Sequence, residues 1–313
     1  MRGKRMTIYI KEQFHPDAMK RLRELATVVD NFDDPDSIEA VLVRRDKVNR
    51  ATIEMLPNLK AIGRHGAGYE GVDLAAAKEH GVTVVNVPGG NADSVAELIV
   101  GLALNMERRI SEANVICRDG GFKCIAPPDF QGTELRGKTF GSIGMGNIAT
   151  KAAKILVDGF GMTAIGYDRH STPEQALEKG FLKADTIEEL LERSDVVNVS
   201  VPLNDGTRNM ISGDKFDHFK SGAILINCAR GGVVNEDDLY DALVSGKLAA
   251  AACDTFVSEP PSKDHKLLGL PNFSATPHIG GNTDDAIRRT GLQLVENVVR
   301  VIKGEPAVGI VPM

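Results

Sequence analysis

No run in this 313-residue chain is apolar for long enough to span a bilayer. The basic start Met1-Arg2-Gly3-Lys4-Arg5 is followed only by a short strand-like stretch, not by the core of a secretory leader. Lysine and arginine number 37 against 43 aspartates and glutamates, a formal charge of −6, and no long run carries one sign. Nothing here favours nucleic acid or an anionic membrane as partner. Cysteine is scarce, and Cys117, Cys124, Cys228 and Cys253 have neither a C-x-x-C nor a zinc-like spacing. They read as reduced, buried thiols of a cytoplasmic protein without a metal site. Low-complexity segments and convincing internal repeats are missing too. What remains is a chain long enough for two domains with substantial cores.

The most informative stretch is glycine-rich: Gly141-Ser142-Ile143-Gly144-Met145-Gly146-Asn147-Ile148-Ala149. An apolar run leads in and an amphipathic run, 150–157, leads out. Gly144, Gly146 and Ala149 fill the small positions of G-x-G-x-x-A. Such a strand-to-helix turn lets backbone approach a pyrophosphate at the helix N-terminus, although it also occurs for close packing alone. A second apolar run, 162–167, ends in Asp168, 24 residues after Gly144. That is near the roughly 20-residue offset of an acid that accepts from the adenosine ribose. A carboxylate there repels a 2′-phosphate and favours NAD over NADP; Arg169 and His170 soften that preference.

Short apolar runs at 7–10, 41–44, 61–64 and 82–87 alternate with helix-like stretches, including 16–25, 52–55 and 74–80, which describes a compact α/β domain. A long helix-like segment follows from about 93 to 114, with apolar positions dense enough for burial on more than one face. After the glycine turn, strands are expected at 196–201, 223–227, 249–254 and 273–276, with helices between them. Alternating β and α segments imply a doubly wound parallel sheet, whose ligands sit beyond the C-terminal strand ends. The last amphipathic helix, 284–302, is placed to return to the first domain. The fold class is therefore α/β with two domains: a substrate domain (1–100 and 287–313) and a Rossmann-type NAD-binding domain (101–286).

Three strand ends of the second domain carry unusual residues: Arg230 after 226–227, Glu259 in a segment that begins at Asp254, and His278 in Thr276-Pro277-His278-Ile279-Gly280-Gly281. Singly, these read as a surface cation, a turn acid and a structural histidine. All three point to the sheet edge where the nicotinamide belongs. Reduction of a keto acid leaves negative charge on oxygen, which a proton donor with a pKa near working pH must meet. His278 is the expected acid/base, Glu259 the carboxylate that stabilises its imidazolium, and Arg230 the clamp on the substrate carboxylate or carbonyl.

At this point the chain resembles the D-isomer-specific 2-hydroxyacid dehydrogenases over nearly its whole length, and within them the phosphoglycerate dehydrogenase branch. The matching stretches are His65-Gly66-Ala67-Gly68, Asn86-Val87-Pro88-Gly89-Gly90-Asn91, Ser94-Val95-Ala96-Glu97-Leu98, and residues 132–139, 227–233 and 276–281. The resemblance implies the same roles for Arg230, Glu259 and His278. It implies a flavodoxin-like substrate domain into which the Rossmann-type domain is inserted. It implies that Gly66, Ala67 and Gly68 offer N–H groups to the substrate carboxylate, with Ala67 near the nicotinamide. Cofactor contacts are implied from Gly144, Gly146, Asn147, Ile148, Asp168, Val201, Cys228, Ala229, Asp254, Ile279, Gly280 and Gly281, and a homodimer built around 93–114. Some residues depart from the family pattern: Ala149 in the third small position, Asn147 in place of a common Arg, Ser200 in place of a common His, and Phe122 in place of a common Trp. The ending at Met313 reads as a short form without a C-terminal regulatory domain, and serine feedback is not expected.

Cations Arg44, Arg45, Lys47, Arg50 and Arg64 lie near two strand ends of the first domain, where a substrate phosphate would need them; ordinary solvated charges look the same in sequence. Arg44 and Arg64 are the expected substrate-binding pair. 3-Phosphoglycerate, glyoxylate, hydroxypyruvate and other small 2-keto acids all stay open, as does an NAD-binding scaffold of the corepressor type. Two α/β domains also suggest hinge closure.

Overall fold

The structure is a computed structural model that describes residues 5–121 and 124–313; Phe122 and the first four residues lie outside it. The chain divides into two compact units, Met1–Asn91 with Gly281–Met313, and Ala92–Gly280.

The first unit contains β1 (Thr7–Tyr9), α1 (Pro16–Leu25), β2 (Thr27–Val29), β3 (Ile38–Val43), α2 (Arg50–Glu54), β4 (Ala61–Arg64), α3 (Leu74–Glu79) and β5 (Thr83–Val85), followed by a closing helix, Asp284–Lys303. Its sheet is parallel throughout, in the flavodoxin order β2-β1-β3-β4-β5. The central strand β3 is apolar apart from Glu39, the one residue of it that is not buried, because helices cover both faces of a parallel sheet. Strand β2 escaped the sequence reading: it is a three-residue edge strand with no fully buried position. The closing helix belongs to this unit, packing Leu294, Val295 and Val298 among Ile8, Leu42 and Val85. Gly63 makes the approach possible, since a Cβ there would lie 2.4 Å from Leu42 Cδ2 and 2.8 Å from Val298 Cγ2.

The second unit contains α4 (Ala92–Arg108), α5 (Ile110–Arg118), β6 (Thr139–Ile143), α6 (Asn147–Phe160), β7 (Thr163–Tyr167), α7 (Pro173–Glu178), β8 (Leu182–Lys183), α8 (Ile187–Arg193), β9 (Val196–Val199), β10 (Ile224–Asn227), α9 (Glu236–Val244), β11 (Ala250–Cys253) and β12 (Phe273–Ala275). Seven parallel strands run in the order β12-β11-β10-β9-β6-β7-β8. Winding reverses between β6 and β9, the switch point at which doubly wound sheets bind ligands. Helices α4 and α6 cover one face with Val95, Ile99, Ala149 and Leu156, and α8 and α9 cover the other with Leu190, Leu191, Leu239 and Leu243.

Three details depart from the sequence reading. The segment 93–114 is not one helix: Arg109 adopts a left-handed conformation (φ 50°), and the Asn105 Oδ1 accepts from Ser111 N and Oγ at 2.8 and 2.9 Å, closing α4 and opening α5 at an angle the intact helix would not take. The unit boundaries fall at 91/92 and 280/281 instead of 100/101 and 286/287. The whole of α4 is tied to the second unit, through its apolar face on α6, an Asp93–Lys151 ion pair at 2.5 Å and a 2.5 Å bond from Ser94 Oγ to Gly280 O. Of the four thiols, only Cys228 and Cys253 are buried; Cys117 and Cys124 are exposed. Among the described residues no helix is long and apolar enough to cross a membrane.

Candidate active site

In the second unit, every residue singled out from sequence follows the C-terminal end of a strand. Gly144 lies one residue beyond β6, at φ 94°, and a Cβ on it would sit 2.3 Å from Ser200 O. Only glycine fits, because the turns after β6 and β9 pass in backbone contact. Its N–H donates to Tyr167 O at 2.8 Å, and its carbonyl accepts from the fully buried Ser142 Oγ at 2.8 Å. Asn198 in turn donates to Ser142 Oγ at 3.0 Å. Gly146 then forms the N-cap of α6 without any side-chain cap bond, so no cap side chain takes the first N–H groups, at Asn147 and Ile148, which suits them as donors to an anion. Asn147 is exposed, Ile148 half-buried, and Ala149 fully buried, where its methyl joins the core between α4 and α6. Asp168 follows the last residue of β7; its Oδ1 takes the His170 N–H at 2.9 Å in a turn that keeps the carboxylate at the strand end. A turn that a side chain would fill, an uncapped helix start and an acid on the neighbouring strand fit a dinucleotide.

The catalytic candidates come from β10, β11 and β12, which pair in register. Arg230 is half-buried, and its Nη1 donates to Ala229 O at 2.8 Å. The Asn227 side chain shapes this turn by donating to Arg230 O at 3.0 Å and accepting from Ala229 N at 3.1 Å. Glu259 reaches back along its own loop: Oε1 accepts from Phe256 N at 3.0 Å and Oε2 meets His278 Nδ1 at 2.8 Å. The His278 side chain is 51% exposed and that of Glu259 37%. His278 has φ 53°, a strained position for histidine that persists only when its surroundings hold it. Asp254 does so. It is 2% exposed, its carbonyl accepts from His278 N at 2.9 Å, and its carboxylate takes Thr276 Oγ1, Ile279 N and Gly280 N at 2.6–2.8 Å. Cys228 is buried beside Asp254, and burial raises its thiol well above the usual range. Val201 is half-buried against the Gly144 turn.

In the first unit, Gly66 (φ 114°), Ala67 and Gly68 follow β4. Val87 N donates to Gly66 O at 2.8 Å and Asn86 Nδ2 to Ala67 O at 2.6 Å, which turns the carbonyls of this loop inward. Arg64 ends β4 opposite Val43, the last residue of β3, Arg44 follows Val43, and Arg64 Nη1 donates to Arg44 O. Arg44 Nη2 donates to Asn282 Oδ1 at 2.6 Å, and burial with the nearby Arg45 lowers its pKa. Glu12, which no sequence signal marked, spends its carboxylate on the backbone N–H groups of Arg44, Arg45 and Asp46, at 2.5–3.2 Å, and not on the guanidinium heads. Arg50, by contrast, is a surface ion-pair residue, bonded to Glu79 at 2.7 Å. Gly281 packs against Asn91, whose Nδ2 lies 2.8 Å from where a Cβ would be.

The family description "D-isomer specific 2-hydroxyacid dehydrogenase, NAD binding domain" matches residues 100–280, which hold the glycine turn, Asp168, Arg230, Glu259 and His278. The chain belongs to this family. It carries the family's NAD-binding domain on a Rossmann-type sheet. It is 40% identical to a D-3-phosphoglycerate dehydrogenase of Methanocaldococcus jannaschii over 98% of this chain and 59% of that protein. It is 42% identical to a hydroxypyruvate reductase of Thermotoga maritima over 84% of both. A crystal structure of the TT0316 protein from Thermus thermophilus aligns with a TM-score of 0.87 at 30% identity, covering 98% of this chain and 100% of that one. The chain thus spans less than two thirds of the length of its phosphoglycerate dehydrogenase relative.

Proposed function

We propose that the chain is an NAD-dependent oxidoreductase that interconverts a small D-2-hydroxy acid and its 2-keto acid, with 3-phosphoglycerate as preferred substrate. The 2.8 Å pairing of His278 Nδ1 with Glu259 carries this reading. Bound NAD supplies or accepts the hydride; the protein manages the proton and the substrate's charge. With Nδ1 turned to the carboxylate, Nε2 is the nitrogen that gives a proton to the substrate oxygen in reduction and takes it in oxidation. Glu259 stabilises the imidazolium of one half of that cycle. Arg230 holds the substrate carboxylate and polarises the carbonyl with directed donors. Gly144, the start of α6 and Asp168 would hold the cofactor, with Val201, Cys228, Ala229, Asp254 and the 278–281 turn at its nicotinamide end. Gly66, Ala67 and Gly68 bind the substrate carboxylate through backbone N–H groups, and Arg44 and Arg64 take its phosphate.

The phosphate preference is supported by the engagement of Glu12 with backbone, which leaves Arg44 facing neutral Asn282. A relative named hydroxypyruvate reductase gives the second reading, reduction of an unphosphorylated keto acid. NADH oxidation followed at 340 nm with 3-phosphohydroxypyruvate, hydroxypyruvate and glyoxylate separates the two. The first reading expects the highest kcat/KM on the phosphorylated acid; a higher value on hydroxypyruvate refutes it, and NAD binding without turnover on any acid points to a scaffold.

We place the protein in the cytoplasm, in keeping with four thiols that are all free. We also propose a homodimer. Helix α5 buries none of its residues and exposes Ile110 and Val115, an apolar surface suited to a second copy. A monomer mass in equilibrium sedimentation would refute it.

A further inference from the structure

The loop that carries Glu259 is gripped from its far side by a second histidine–carboxylate pair. Glu236, the first residue of α9, accepts from Val257 N through Oε1 at 2.8 Å and meets His265 Nε2 through Oε2 at 3.1 Å. The two side chains are only 20% and 19% exposed. His265 Nδ1 is buried without a hydrogen-bond partner, so the ring's polar anchor is the contact of Nε2 with Glu236. The same ring stands edge-on to Phe256, 5.6 Å between centroids, and Phe256 is buried against Phe273.

The consequence lies in the peptide between Phe256 and Val257. Its N–H goes to Glu236. Its carbonyl side abuts Gly231, where a Cβ would sit 2.0 Å from both Phe256 C and O. The preceding N–H, of Phe256, goes to Glu259 Oε1. One peptide therefore sets the loop that holds Glu259 against His278 and touches the turn that carries Arg230.

We propose that Glu236 and His265 are positioning residues for the reaction: through the Phe256–Val257 peptide they hold Glu259 in line with His278 and fix the approach of the Arg230 turn. This rests on the roles given to His278 and Glu259 above. Neither member of the pair needs to touch substrate or cofactor. The charged and titratable groups packed around it are Asp237, itself paired with Lys266 at 2.6 Å, and the buried thiol of Cys253; those around His278 are Glu259 and Asp254.

The test uses the full chain with Glu236→Ala, His265→Asn and His265→Gln. The Gln amide nitrogen reaches the place of Nε2; the shorter Asn does not. Glu236→Ala and His265→Asn are expected to lower kcat about 10- to 100-fold, the span of one hydrogen bond to a charged group. The KM for NADH should stay within about twofold, because the glycine turn is untouched. The His278 imidazole signals, followed by NMR and assigned by their loss in His278→Gln, should move in both variants as the Glu259 contact is lost, and His265→Gln should restore both readouts. Wild-type kcat and unmoved His278 signals in Glu236→Ala overturn the proposal, as does a His265→Gln variant as impaired as His265→Asn. If Glu236→Ala fails to fold, the Asn and Gln pair decides. A wild-type protein inert on every 2-keto acid sinks the functional reading instead, while the His278 NMR signals still decide whether Glu236 and His265 hold the Glu259–His278 pair.

Discussion

His65, immediately before the Gly66 turn, makes the first unit sensitive to acid. Its Nε2 donates to Ile287 O at 3.2 Å and its ring stands edge-on to Phe14 at 5.0 Å. Burial lowers its pKa from 6.5 to about 4; the Ile287 bond opposes this, and Arg44 and Arg64 add to the depression. The folded chain therefore keeps His65 neutral while the unfolded chain takes up a proton. The contribution is fully present above pH 6.5 and is lost as the pH falls toward about 4. At about 1.4 kcal/mol per pH unit, the difference reaches roughly 3 kcal/mol. His65→Gln keeps a donor for Ile287 O and cannot titrate. Urea unfolding followed by far-UV circular dichroism, needed because the chain has no Trp, should show wild type losing about 2–3 kcal/mol relative to this variant between pH 7.5 and 4.5. Parallel pH curves for the two proteins, or an NMR midpoint for His65 near the ordinary value, would refute the reasoning.

Other outcomes follow from the same geometry. His278→Ala should reduce kcat about 10²–10⁴-fold, the usual range for a general acid, and near-normal turnover would remove His278 from the chemistry. Gly144→Ala should abolish NAD binding in a calorimetric titration, since its Cβ would meet Ser200 O at 2.3 Å in a left-handed backbone; unchanged affinity would show that the turn can relax. Arg44→Ala should lower kcat/KM about tenfold or more on 3-phosphohydroxypyruvate and far less on glyoxylate, as the loss of a charge-assisted contact requires, and equal losses on both would argue against a phosphate site. In a thiol-reagent titration of the native protein, Cys117 and Cys124 should react quickly, whereas Cys228, and Cys253 with its pKa pushed up to about 12 by burial, should react only on unfolding. Four fast thiols would contradict the described burial.

Much of the architecture was legible because parallel α/β sheets write themselves into short runs. Strands β3, β9, β10 and β11 are buried on every or nearly every residue, so each appears as an apolar block between amphipathic helices. The glycine turn was legible because a backbone-to-backbone approach at Gly144 admits no side chain. His278, Glu259 and Arg230 were legible as strand-end oddities, since a doubly wound sheet brings all such ends to one edge. Elements with little burial were not: β2 and β8 are edge strands of two or three residues, and the break at Arg109 depends on an Asn105–Ser111 bond that no periodicity reveals.

The order of the residues thus determined by itself the alternation of strands and helices, the conformation of the glycine turn and the chemical types at the strand ends, because these depend on local sterics and on which side chains avoid water. Tertiary structure alone decided what each charged group faces. Glu12 turns to backbone N–H groups 32 residues on, Asp254 to the turn of His278, and Glu236 to Val257 and His265. A carboxylate's role is set by the donors that folding brings within 3 Å or so, and those donors come from segments that are remote in the chain.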